Sequence, residues 1–119
     1  MATILVVDDE MGIRDLVAEI LADSGYGVLT AADAHEAREQ AAAHALDLVL
    51  LDVWMPHEDG LSLLRDWAQK ELPAPVVMLS GHATLDAAIE ATRIGASAFL
   101  EKPLRLQTLM ETVYRVLSE

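Results

Sequence analysis

There is no cysteine in the chain of 119 residues, so disulfides, thiolate zinc sites and cysteine nucleophiles are excluded together. A thiol-free chain suits a reducing compartment, and the cytoplasm is the expectation. Basic residues are scarce: eight Lys and Arg stand against 20 Asp and Glu, a formal net charge of -12. That field repels phosphate backbones and anionic lipid headgroups, so neither direct nucleic-acid contact nor membrane contact is expected of this domain. No apolar run approaches a membrane span, and Met1-Ala2-Thr3-Ile4 lacks the basic flank of a secretory signal. Gly25 and Gly27 are not followed by the third glycine of a dinucleotide fingerprint, and no Walker-type loop occurs. His35 and His44 lack metal-ligand spacing and read as helix-surface residues.

What the chain has is apolar content, 53% of its residues, enough for one domain with a sizeable core and too short for two. Short β-branched runs alternate with stretches of helical period, the pattern of βαβ units around a parallel sheet. The expected strands are Ile4–Val7, Val28–Ala31, Leu48–Leu51, Val76–Leu79 and Ala98–Leu100. Most are apolar throughout, as strands covered by helices on both faces should be. The first helix carries an apolar stripe of Ile13, Leu16, Val17, Ile20 and Leu21, ending at Ser24-Gly25. Asp33 reads as the cap of the second. Leu61, Leu64 and Ala68 mark a third helix that Pro73 should stop, with Trp67 read as packing. A fourth runs from Thr84 to Ile94, with Ala88, Ala91 and Gly95 as its face toward the sheet. The fifth buries Leu106, Leu109, Val113 and Leu117.

In open parallel sheets the functional site lies beyond the carboxyl ends of the strands. The residues there are not random: Asp8-Asp9-Glu10 follows the first strand, Asp52 the third, Ser80-Gly81-His82 the fourth, and Glu101-Lys102-Pro103 the fifth. Taken singly, Asp8 and Asp9 read as helix caps and Asp52 as a strand end. Taken together they bring three carboxylates, a hydroxyl and an ammonium to one edge. Crowded carboxylates repel, and a hard, oxygen-liganded cation is the usual relief, which points to magnesium.

The segments Val7-Asp8-Asp9-Glu10, Leu51-Asp52-Val53-Trp54-Met55-Pro56 with Asp59-Gly60, Ser80-Gly81-His82-Ala83, Gly95-Ala96 and Phe99-Leu100-Glu101-Lys102-Pro103 resemble the receiver domains of two-component response regulators. The likeness spans essentially the whole chain and is strongest to nitrogen-regulation activators of the NtrC and NtrX type. It implies a flavodoxin-like (βα)5 fold, a five-stranded parallel sheet with helices on both faces. Residues 1–119 would form one receiver, with a longer regulator, its ATPase and DNA-binding modules included, possible beyond it.

The resemblance also implies roles. Asp52 would be the phosphoacceptor, attacking a phosphohistidine of a sensor histidine kinase. Asp9, Asp52 and the backbone carbonyl of Trp54 would bind Mg2+, with Asp8 acting through water. Lys102 would pair with one phosphoryl oxygen and Ser80 with another, and Ser80 moving inward would let the Phe99 ring turn. The Lys102–Pro103 bond would be cis. Output would pass through Asp86, Ile89, Glu90 and Arg93 on the fourth helix and Gln107, Glu111 and Arg115 on the fifth, to an effector domain, a partner protein or a phosphorylation-dependent homodimer. Such a domain is a signalling switch, an enzyme only toward its own phosphoryl group.

Trp54 and His82 each stand two residues beyond a reacting position, where bulk would shield a phosphoryl group and an imidazole would orient water. His57 and Glu58 would tune access alone. Two rivals remain at this level. A haloacid-dehalogenase-type phosphatase also uses an aspartate nucleophile with magnesium, but expects a second aspartate where Trp54 stands. A degenerate receiver would only bind a partner, yet every chemical residue is present.

Overall fold

The computed structural model describes residues 1–81 and 85–119. His82, Ala83 and the expected helix start at Thr84 lie outside the described residues. Five strands alternate with five helices: β1 (Thr3–Val7), α1 (Met11–Asp23), β2 (Gly27–Ala31), α2 (Ala34–Ala43), β3 (Leu48–Asp52), α3 (Gly60–Lys70), β4 (Val76–Ser80), α4 (Leu85–Ile94), β5 (Ala98–Glu101) and α5 (Leu106–Leu117). The strands form one parallel sheet in the order β2-β1-β3-β4-β5. This is the flavodoxin-like arrangement, in which the order reverses between β1 and β3 and the crevice opens there.

Strand alternation divides the core in two. Ile4, Val6, Leu48, Leu50, Val77 and Leu79 pack with Val17 and Leu21 of α1 and with Leu109, Val113 and Val116 of α5. Their neighbours Leu5, Val7, Val49, Leu51, Val76 and Met78 face the other way, onto α2, α3 and Ala91 of α4. Because both faces are covered, residues 4–7, 48–51 and 76–79 of the central strands are apolar without a break, which is why the sequence shows runs there and not alternation.

Local chemistry sets the helix ends. Gly25 closes α1 in the left-handed region at φ +94°, which a residue with a Cβ rarely adopts. The Asp33 carboxylate accepts from the Glu36 N–H at 2.8 Å, and the Glu36 carboxylate accepts from the Ala32 N–H at 2.7 Å, a reciprocal cap on α2. Asp59 caps α3 by accepting from the Ser62 N–H at 2.8 Å.

Several expected stripes are rotated or interrupted. Leu16 and Leu106 are more than half exposed and flank an apolar groove between α1 and α5 with Ile13, Ile20 and Leu104. On α3 the buried residues are Gly60, Leu63, Leu64 and Trp67, while Ala68 is exposed. Gly60 sets that rotation: a Cβ there would lie 2.0 Å from the Asp52 carbonyl oxygen, so the first turn of α3 can rest on the strand end only without a side chain. The helix ends at Lys70, and the chain is already extended at Glu71, ahead of Pro73. On α4, Ala91 is buried and Ala88 half-buried, but Gly95 is exposed at φ +135°. Gly95 serves as the turn that ends the helix, not as part of its inner face.

Candidate functional site

The ladder register aligns Val7 with Leu51, Leu51 with Met78 and Met78 with Phe99. The next residues along β1 and β3 are Asp8 and Asp52, which therefore emerge side by side at the carboxyl edge. Asp8 is fully buried and Asp52 nearly so, while Asp9 is exposed. One carboxylate oxygen from each of Asp8, Asp9 and Asp52 lies within 4.8 Å of the others. Lys102 reaches in from the end of β5: its Nζ donates to Asp8 Oδ2 at 2.6 Å and stands 3.3 Å from Asp52 Oδ1. The other Asp8 oxygen accepts from the Glu10 N–H at 2.9 Å. Arg14 donates to the Asp8 carbonyl at 2.8 Å.

These distances perturb the charges. Burial and the neighbouring Asp8 charge together push the Asp52 carboxyl up to about 6 from 3.8, against the opposing pull of Lys102. For Lys102, burial favours the neutral amine, but the Asp8 hydrogen bond and the charges of both aspartates outweigh it and hold the ammonium above its ordinary range. Two close carboxylates with one ammonium between them leave the cluster short of positive charge.

The profile of the response regulator receiver domain matches residues 4–114. The chain belongs to that family. Among curated relatives, the nitrogen assimilation regulatory protein NtrX of Azorhizobium caulinodans is 44% identical over 117 residues, covering 96% of this chain and 26% of that protein. The transcriptional regulator NtrC of Escherichia coli is 35% identical over 113 residues, covering 95% of this chain and 24% of that protein. This receiver thus spans about a quarter of those relatives' length. The solved receiver domain of NtrX from Brucella abortus superposes with a TM-score of 0.90 at 44% identity, covering 97% of this chain and 98% of that one. The likeness to NtrC and NtrX types drawn from the sequence is thereby borne out.

Receiver domains bind Mg2+ through acidic residues, and the donor set here fits: three carboxylates converge, all hard oxygen donors, with charge still uncompensated. The other expected residues sit as follows. Trp54 follows β3 with its indole more than half exposed. Ser80 ends β4, fully buried, and its carbonyl accepts from the Lys102 N–H at 2.7 Å. Phe99 is partly buried against the cluster that includes Met78 and Ala91. The Lys102–Pro103 peptide is cis. His82 lies outside the described residues.

On the outer surface, Asp86 and Arg93 are exposed and Ile89 is 45% exposed. Glu90 stays solvent-accessible and accepts from Arg65 of α3 at 2.8 Å in a surface ion pair. On α5, Gln107 donates to Glu111 at 2.9 Å and Arg115 is exposed.

Glu58 also does more than border the site. Its two oxygens accept from both terminal nitrogens of Arg38 on α2 at 2.7 Å each. The same guanidinium reaches Asp66 of α3 at 3.1 and 3.2 Å, and Lys70 pairs with Asp66 at 3.1 Å. The Glu58 carboxyl is held below its ordinary range, first by the Arg38 hydrogen bonds. Sequence reading missed Arg38 and Arg14. Only the Asp66–Lys70 pair, four residues apart on one helix, had a signal in the sequence.

Proposed function

We propose that this receiver is a phosphorylation-activated switch that takes a phosphoryl group onto Asp52 from a phosphohistidine of a sensor kinase, in a Mg2+-dependent reaction. The observation that carries the reading is the buried Asp52 carboxylate, flanked by Asp8 and Asp9 and faced by the Lys102 ammonium 3.3 Å away. At neutral pH Asp52 is ionised, and an oxygen lone pair attacks phosphorus. The bond from phosphorus to the kinase imidazole breaks, and its electron pair returns to that nitrogen. Lys102, already aimed at both aspartates, meets the charge arriving on a phosphoryl oxygen, and Ser80 offers its hydroxyl to another. Magnesium, held by Asp9, Asp52 and the Trp54 carbonyl with Asp8 behind water, would supply the charge neutralisation such transfers depend on. Trp54 would shield the product from hydrolysis.

Output follows from the same edge. Phe99 of β5 packs in the core cluster that holds Ala91 of α4, and Ser80 ends the neighbouring strand β4 opposite Glu101, so a new charge at Asp52 biases the face that carries Asp86, Ile89, Glu90 and Arg93, together with Gln107, Glu111 and Arg115 of α5. A bias of a few kcal/mol suffices, and one phosphoryl group with its hydrogen bonds can supply it. We place residues 1–119 as the receiver of a longer cytoplasmic transcription regulator, controlling an effector domain or a homodimer contact. Any DNA contact would then be made elsewhere in that protein.

Acetyl phosphate and Mg2+ followed by intact mass tests the reading. A switch gains one lasting phosphoryl group; steady hydrolysis without accumulation would favour the phosphatase, and no modification the degenerate receiver.

A further inference from the structure

The loop between β3 and α3 is tied down at two points near its ends. The Gly60 N–H donates to the Val53 carbonyl at 2.7 Å, and Glu58 is gripped by both terminal nitrogens of Arg38. Between these ties runs Trp54-Met55-Pro56-His57, with His57 held at φ +70°, a left-handed conformation that a histidine leaves readily unless its surroundings fix it. Arg38 is itself braced against Asp66 on α3. A planar guanidinium engaged at two carboxylates is a rigid spacer and not a loose surface pair.

We propose that Arg38 is a positioning residue for the divalent cation: by clamping Glu58 it sets the path of the loop, and so the Trp54 carbonyl that would bind the metal. This rests on the reading of that carbonyl as a ligand. Electrostatics makes the proposal testable by sign. Removing the positive charge of Arg38 cannot by itself weaken the binding of another cation, whereas removing the clamp should weaken it.

The experiment titrates MgCl2 into the parent protein, Arg38→Gln, Arg38→Lys and Asp66→Asn, without phosphoryl donor, and reads tryptophan emission. Arg38→Gln is expected to raise the Mg2+ Kd several-fold, short of the roughly tenfold or more that losing the partner of a direct ligand costs. Arg38→Lys, which keeps the charge but not the two-pronged grip, should recover only part of the loss. Asp66→Asn leaves the Arg38–Glu58 pair in place and keeps a side-chain oxygen that can accept from the guanidinium, so it should bind like the parent. An unchanged or lower Kd for Arg38→Gln overturns the proposal. So does an equal loss in Asp66→Asn, which would mean that α2 and α3 had merely loosened. A parent whose emission ignores Mg2+ while calorimetry detects binding would overturn the Trp54 reading itself, and the clamp with it.

Discussion

Replacing Asp52 by asparagine should stabilise the metal-free domain, although it destroys the reacting group. In the folded state the carboxyl titrates at about 6, above 3.8, because of burial and the Asp8 charge. The folded chain therefore binds that proton more tightly than the unfolded chain does. The stability this group contributes is full below about 3.8 and is lost as pH rises through about 6. At about 1.4 kcal/mol per pKa unit, ionised Asp52 costs roughly 2–3 kcal/mol at pH 7.5, or on the order of 10 °C in Tm for a domain of this size. Asparagine keeps the shape and removes the charge, while Lys102 retains Asp8 at 2.6 Å. Urea and thermal melts in EDTA, followed by far-UV circular dichroism at pH 7.5 and pH 4, measure the difference. The variant should be the more stable at pH 7.5, the two should converge near pH 4, and Mg2+ should narrow the gap by stabilising the parent. Carboxylates outside the cluster titrate alike in both proteins and cancel. A variant no more stable than the parent at pH 7.5 would refute the claim that crowded charge destabilises this edge.

Further expectations follow from single side chains. Asp9→Asn should weaken the Mg2+-dependent change in Trp54 emission, most of all in a Trp67→Phe background; an unchanged titration would remove Asp9 from the metal site. Gly60→Ala should destabilise by about 1–3 kcal/mol or more, because its Cβ would meet the Asp52 carbonyl at 2.0 Å; a urea midpoint equal to the parent's would contradict that packing. Ser80→Ala should accept phosphate yet show a weak change at α4, whereas Ile89→Asp should phosphorylate normally and fail to associate. Light scattering with and without beryllofluoride, a phosphoryl mimic, distinguishes these outcomes, and two variants that both behave like a parent that changes size would place the output surface elsewhere.

The sheet was legible because burial on both faces makes Val49, Leu50, Leu51 and their neighbours apolar without a break. Only single end residues were missed: Thr3 and Gly27 open β1 and β2, and Asp52, Ser80 and Glu101 close β3, β4 and β5, where polar residues and a glycine carry ladder bonds that an apolar pattern does not mark. The clustering of Asp8, Asp9, Asp52 and Lys102 was legible because strand ends in a parallel sheet share one edge. Helix rotation was harder to read. Leu61, Leu64 and Ala68 have as good a helical period as Leu63, Leu64 and Trp67, and the choice is made by Gly60 seating on the strand end. Leu16 and Leu106 fit their stripes by spacing, yet both are exposed at the groove between α1 and α5. The Arg38–Glu58–Asp66 cluster joins residues 20 and 28 positions apart, and no local pattern marks such a pairing.

The central claim is that Asp52 is the acceptor and that the acidic cluster serves it. The most direct measurement treats the parent with acetyl phosphate, with and without Mg2+, then reduces with borohydride, which converts an aspartyl phosphate to homoserine, and maps the change by peptide mass spectrometry. Conversion at position 52 alone, and only with Mg2+, is the expected result. Conversion at another aspartate, or an equal yield at Asp52 in EDTA, would contradict it.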